Sequence, residues 1–377
     1  MRAQIKLGRI AGIAIGLHYS WFIIAFLIGL SLIEQFHASM PQWSNAVTWS
    51  VACVTAVLFF VTLLFHELAH SLVAKAKGLR VRSITLFALG GVSQIESESP
   101  DAKTEFWIAI VGPLSSLAIG IVCLALARWA GWTGLIRTQN PVAAVLLWLG
   151  YINLLLAAFN MIPGYPLDGG RVLRAIIWFF DKNAMRATQW AARVGQVVAF
   201  LFIIYGLFRF FTVENFGGLW IAFIGWFLLD ASRGSAAQVE LMELLRGHTV
   251  SELMERDCPT IDAHISLYDF VHQFLLRSGR RCYIVVQGDR LVGLITPNEV
   301  KRVDPESWPQ TSVQSVMRPI SELRTVSPDT PVTQALEVIT RDDINQMPVV
   351  ANGRLQGIFS RASVLGFLRN RAELLRH

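Results

Sequence analysis

Charge is scarce in this chain: of 377 residues only 16% are Asp, Glu, Lys or Arg, against 53% apolar. A soluble domain carries about 25% charged residues, so the composition speaks against a wholly soluble protein. Cysteine is scarce too. The four present, Cys53, Cys123, Cys258 and Cys282, show no CxxC spacing, which argues against both a disulfide framework and a thiolate metal site. No small-residue cleavage pattern follows the basic start MRAQIKLGRIAG, and the apolar run behind it is too long for a signal-peptide core. It is expected to stay attached as the first membrane helix. The net charge of +6 lies, in the front half, in short stretches flanking apolar segments, where orientation in a bilayer accounts for it. Nucleic acid is not expected as a partner.

What is present is a series of apolar segments near 12–33, 46–74, 105–127, 142–162, 188–211 and 217–231, each close to the 20 or so residues that cross a bilayer core. A multi-pass α-helical membrane protein of about six transmembrane helices follows, with 169–180 as a partial span or interfacial helix. Arg2, Lys6 and Arg9 precede the first span, no Lys or Arg occurs between Leu32 and Asn45, and Lys75, Lys77, Arg80 and Arg82 follow the second. Arg171, Arg174, Lys182, Arg186 and Arg233 fall on the same side. This positive-inside alternation predicts a cell-membrane protein whose N-terminus and tail are cytoplasmic. Between Val81 and Gln94 the run VRSITLFALGGVSQ is β-prone and broken at Gly90-Gly91, which predicts a short β-hairpin. Such backbone cannot face lipid. It is either an edge onto which an extended substrate adds as a strand or an ordinary cytoplasmic loop.

From about Arg233 the charge density rises and the chain repeats itself. Residues 248–302 and 312–368 each run helix, strand, helix, strand, strand, helix, with RRCYIVVQGDRLVGLITPNEV matching INQMPVVANGRLQGIFSRASV, the mark of an internal duplication. This α/β segment resembles a tandem pair of CBS domains. That resemblance implies a groove for ATP or another adenine nucleotide, with Thr296 and Glu299 as ribose contacts in the first copy. The second copy has Ser360 but Ser363 in place of the acid, so one site at most is intact. The resemblance equally fits a dimerising or regulatory module without ligand, and makes a homodimer a reasonable expectation. The domain reading is 1–232 for the membrane part, 246–304 for the first CBS module and 312–370 for the second.

The chemistry is concentrated in two motifs. His66-Glu67-Leu68-Ala69-His70 lies in the second span; residues four apart share a helix face, so both imidazoles can reach one metal while Glu67 is offset toward a water. Each ionisable residue at bilayer depth costs about 2.5 kcal/mol or more, which makes three of them hard to explain as packing. A catalytic zinc needs a third protein ligand. Asp168, in FNMIPGYPLDGGRVLRA, is the best candidate: Pro163, Gly164 and Pro166 break the fourth span there, and the charge map brings it to the same side. Helix capping is the competing role for it. Glu34 falls on the opposite side, and Glu96, Glu98 and Asp101 sit in a polar loop. Asn153 and Asn160, seven residues apart, share a helix face and are candidates for contacting substrate or a developing oxyanion, or for bonding between helices.

HELAH in one span, followed about a hundred residues later by NMIPGYPLDGGR, is similar to the site-2 protease family of intramembrane zinc metalloproteases. The family's NxxPxxPLDGG pattern is matched from Asn160 to Gly170, and Gly112-Pro113 in the third span also fits. A C-terminal CBS pair marks one prokaryotic branch of that family. The resemblance implies one Zn2+ per chain held by His66, His70 and Asp168, Glu67 as general base, and cleavage of a transmembrane protein substrate in or near its span. No PDZ-like insert separates the two motifs. Two other readings stay open: a catalytically silent zinc-binding scaffold, and a CBS-regulated cation transporter.

Overall fold

The computed structural model describes residues 4–88, 90–95, 99–134, 138–213, 217–257, 259–278, 282–288, 290–342, 344–351 and 354–374. Glu96, Glu98 and Cys258 lie outside them. The chain forms two compact units, Met1–Val239 and Glu240–His377.

The first unit begins with a correction. The run 12–33 is not one helix: β1 (Ile5–Ile10) and β2 (Ile13–Leu17) form an antiparallel hairpin, and α1 (Ser20–Ser39) starts only after it. Ala11 and Gly12 both have positive φ, 52° and 80°, as a two-residue hairpin turn of the kind that matches strand twist requires. The small residues there satisfy a turn, not a membrane helix. α2 (Asn45–Ala76) follows, then the expected hairpin as β3 (Val81–Phe87) and β4 (Gly90–Ile95). β2 pairs with β3 in parallel, giving a four-stranded sheet β1-β2-β3-β4 in which β4 is an edge. Ile13, Leu17, Ile84 and Leu86 of this sheet pack with Leu68 of α2, which seats the sheet beside the HELAH turn.

α3 (Ala102–Trp129) is capped by Asp101, which accepts from the Thr104 N–H at 2.9 Å, and these bonds hold the Asp101 carboxyl below the usual range. α4 (Pro141–Asn160) starts at an Asn140 cap with proline in its first turn, the position where a missing N–H costs nothing. α1, α2 and α4 share an apolar core of Leu32, Phe36, Val51, Ala52, Ala56 and Ala144. α5 (Asp168–Asp181) has 14 residues, about 21 Å at 1.5 Å per residue, too short to cross. Its Arg174 is buried while Ile176, Phe179 and Phe180 are exposed. Charge inside and apolar surface outside reverses the pattern of a water-exposed helix. α6 (Ala184–Val213) and α7 (Gly217–Leu245) pack together at Gly206, Gly218 and Gly225.

Five helices among the described residues are long and apolar enough to cross a membrane: α1, α2, α3, α4 and α6. The expectation of about six was approximate. α7 is apolar from Gly217 to Leu229 but then meets Asp230 and Arg233.

In the second unit β5 (Thr260–Asp262), β6 (Tyr283–Gln287), β7 (Arg290–Ile295) and β8 (Arg318–Pro319) form one sheet, and β9 (Gln346–Ala351) pairs with β10 (Arg354–Ser360) in another. The two repeats exchange their leading segments. Val250 and Leu253 pack into the core of Val332, Ile339, Val349 and Phe359, whereas Val313 packs with Ile261, Tyr283 and Ile295. Neither repeat closes its core without the other. Ile284 and Leu291 of the first meet Ile358 of the second, so the two modules form one body.

Candidate metal centre

α2 places the two imidazoles one turn apart on a buried face: His66 is 3% exposed and His70 4%. α3 crosses against them and contributes three groups at successive turns. The Ile108 carbonyl accepts from His70 Nδ1 at 2.5 Å, Ser116 Oγ lies 2.9 Å from His66 Nδ1, and Gly112 sits between them. A Cβ at Gly112 would stand 2.1 Å from His70 Nε2 and 2.8 Å from His66 Nε2, so only glycine lets α3 approach this closely. α5 supplies the third group. Asp168 is the first residue of its helix and does not cap it; its Oδ2 lies 3.1 Å from Nε2 of both histidines.

The bonding of this triangle identifies what it accommodates. A carbonyl only accepts, so His70 carries its proton on Nδ1 and, when neutral, presents a lone pair at Nε2. That lone pair faces a carboxylate oxygen and, at 3.2 Å, the Nε2 of His66. Three ligand-type atoms converging in a buried space suit a cation between them. Zinc ligand bonds of about 2.0–2.1 Å in a tetrahedron imply ligand–ligand edges of about 3.3 Å, close to the observed 3.1, 3.1 and 3.2 Å. These three side chains form the one metal-competent cluster found among the described residues. The Nδ1 bonds to Ile108 and Ser116 hold the orientation of both rings, and the Ile108 carbonyl also sets the tautomer of His70, as outer partners of metal-binding histidines do.

Glu67 is half-buried on the turn between the histidines, and it meets the edge of the sheet. Ser93 of β4 donates to Glu67 Oε2 at 3.1 Å, Ser71 donates in turn to Ser93, and a Cβ at Gly91 would lie 2.4 Å from Glu67 Cγ. The β4 edge therefore runs directly past this carboxylate. From His70 to the end of α2 at Ala76 is six residues, about 9 Å, so the cluster lies nearer one end of its span than the middle.

The other sequence candidates have partners of their own. Asn153, fully buried, donates to Thr62 Oγ1 on α2 and to the Leu149 carbonyl, the bond between helices. Asn160 donates within its own helix, to the Leu156 carbonyl. Thr296 and Glu299 form a capping box at the helix Pro297–Val300, and Glu299 also pairs with Arg318 at 3.3 Å. Sequence reasoning missed Ile108, Ser116 and Ser93, because a backbone carbonyl or a serine in an apolar span carries no signal of its own. It also missed Glu105, although an acid opening a span opposite two arginines was a signal available to it.

Fold and site together define a multi-pass membrane protein with a metal-type donor set buried between its helices and a regulatory-type α/β tail. Residues 54–133 and 134–203 match the profile of Peptidase family M50, and 250–306 and 313–370 match that of the CBS domain. The chain is 37% identical over 339 residues to Rip3 of Mycobacterium tuberculosis, covering 89% of this chain and 85% of that protein. It is 33% identical over 379 residues to sll0528 of Synechocystis, covering 99% and 97%. Both are named as zinc metalloproteases. Among solved structures it is similar to the site-2 protease from Methanocaldococcus jannaschii, with 31% identity, a TM-score of 0.43, and coverage of 62% of this chain and 94% of that one. The chain belongs to peptidase family M50, the site-2 proteases, and is a zinc metalloprotease of the membrane with a C-terminal CBS pair.

Proposed function

We propose that His66, His70 and Asp168 hold a single zinc ion, that Glu67 is the general base, and that the protein hydrolyses a peptide bond in or near a transmembrane segment of another membrane protein. The observation that carries this is the convergence of three ligand-type atoms, from the two helices α2 and α5, at tetrahedral-edge spacing beside Glu67. When bound, zinc supplies Lewis acidity toward the scissile carbonyl and the attacking water. Glu67 takes the proton of that water and delivers it to the leaving nitrogen, and the Ser93 hydroxyl holds the carboxylate while it does so. A helical substrate bond is shielded by its own hydrogen bonds, so the substrate unwinds and lies as a strand along the free edge of β4. Positive-inside asymmetry puts the N-terminus and CBS pair in the cytoplasm.

The test is zinc content and cleavage of a tagged single-span substrate in liposomes. About one zinc per chain is expected, with cleavage abolished by a chelator and restored by added zinc. Wild type that purifies without zinc, or that cuts equally well after chelation, refutes the reading; zinc without cleavage across a panel of substrates favours the scaffold. A photo-crosslinking side chain at Val92, 42% exposed on β4, should capture the substrate, and cleavage without capture removes the strand-docking step.

The CBS pair is proposed to bind an adenine nucleotide through Thr296 and Glu299 and thereby alter access to the zinc. ATP binding is expected to weaken in Glu299→Ala, and cleavage to change between ATP-free and ATP-saturated protein. Equal rates despite confirmed binding rule out the regulation.

A further inference from the structure

Glu105 is a buried acid that the proteolytic mechanism does not use. It lies in the first turn of α3, 2% exposed, and three side chains converge on it through four contacts. Arg171 donates from Nε to Oε1 at 3.0 Å and from Nη2 to Oε2 at 3.4 Å, Arg174 Nη1 lies 3.5 Å from Oε1, and Ser99 Oγ donates to Oε2 at 2.5 Å. Arg174 also hydrogen-bonds Tyr165, in the loop that leads into α5. Arg171 follows Asp168 by three residues and Arg174 follows Arg171 by three, so each is the helix-surface neighbour of the one before it. α5 is thereby tied to α3, the helix that holds both histidines through Ile108 and Ser116. No side chain caps the start of α5, and its outward face is apolar.

We propose that the Glu105–Arg171–Arg174 cluster is a positioning device of the metal centre, which fixes the rotation and axial position of α5 so that Asp168 meets His66 and His70. The inference rests on those three residues being zinc ligands. A metal site tolerates about 0.2 Å in ligand distance. Apolar contacts alone are non-directional and leave a short helix free to slide or turn by more than that, whereas a guanidinium fork on a carboxylate is directional and strong. Because the cluster is buried, removing Glu105 also strands two cations next to the helix that must stay in place.

The experiment measures zinc affinity of the metal-free protein and the absorption spectrum of its cobalt-substituted form. Five proteins are compared: wild type, Glu105→Gln, Glu105→Asp, Arg171→Met and Asp168→Asn. Glu105→Gln should bind zinc about 10- to 100-fold more weakly and shift its cobalt spectrum toward that of Asp168→Asn, while Glu105→Asp recovers most of both. Arg171→Met leaves Glu105 paired with Arg174, so it is expected to fold, and should weaken zinc about 10-fold. Folded Glu105→Gln or Arg171→Met protein with wild-type affinity and spectrum overturns the proposal; if Glu105→Gln does not fold, Arg171→Met alone decides. Wild type that binds no zinc overturns the metal-centre reading itself, an outcome distinct from variants that bind as wild type does.

Discussion

Glu67→Gln protein is expected to retain its zinc and to cleave substrate about 10²–10⁴-fold more slowly, a barrier increase of about 2.7–5.5 kcal/mol. The two effects separate because Glu67 is not part of the donor triangle: His66, His70 and Asp168 contact one another without it. Glutamine keeps the size of the side chain and can still accept from Ser93, so the sheet edge stays seated, but an amide takes no proton at neutral pH. Rates measured in liposomes, with metal analysis of the same preparation, check the prediction. Loss of zinc in this variant would mean that Glu67 is a ligand; full activity would remove it as the base.

Gly112→Ala should lose zinc, with affinity down by about 100-fold or more and activity with it. The new methyl carbon would fall 2.1 Å from His70 Nε2, inside the distance any two unbonded heavy atoms tolerate. Either α3 retreats, taking the Ile108 and Ser116 partners of both histidines with it, or the imidazoles turn away from Asp168. Both outcomes exceed the tolerance of a metal site. Helical content should change little, because alanine is the better helix former; circular dichroism and equilibrium zinc titration together distinguish an ejected metal from an unfolded protein. Stoichiometric zinc in Gly112→Ala would show that the approach of α3 is looser than the structure has it. The next residue, Pro113, lies inside the same helix and has no N–H to donate to its ladder.

Much of the membrane unit was legible in sequence because its signals are local. Apolar runs of bilayer length need no partner to be recognised, and the i, i+4 spacing of His66 and His70 fixes a shared face from helix geometry alone. The internal duplication of the tail was visible for the same reason: two copies of one pattern lie side by side in the chain. The N-terminal hairpin was not legible. GIAIGL is apolar enough to extend α1, and the feature that forbids it is the parallel ladder from Ala14–Leu17 to Ser83–Leu86, some seventy residues away. α7 was counted with the spans on its apolar first half, whereas Asp230 and Arg233 set its composition apart from the other five.

The sequence by itself determined that this is a helical membrane protein, which residues are candidates to bind zinc, and that the tail is a repeated α/β module, because hydropathy, helical spacing and duplication are properties of neighbouring residues. Only the tertiary structure decided that Asp168 reaches the histidines instead of capping its own helix, that Gly112 stands where the two imidazoles leave no room for a side chain, that the β4 edge passes Glu67, and that Glu105 ties α5 to α3. Each of these depends on the relative placement of elements dozens of residues apart, which packing between helices and buried charge pairing set and which no local pattern encodes.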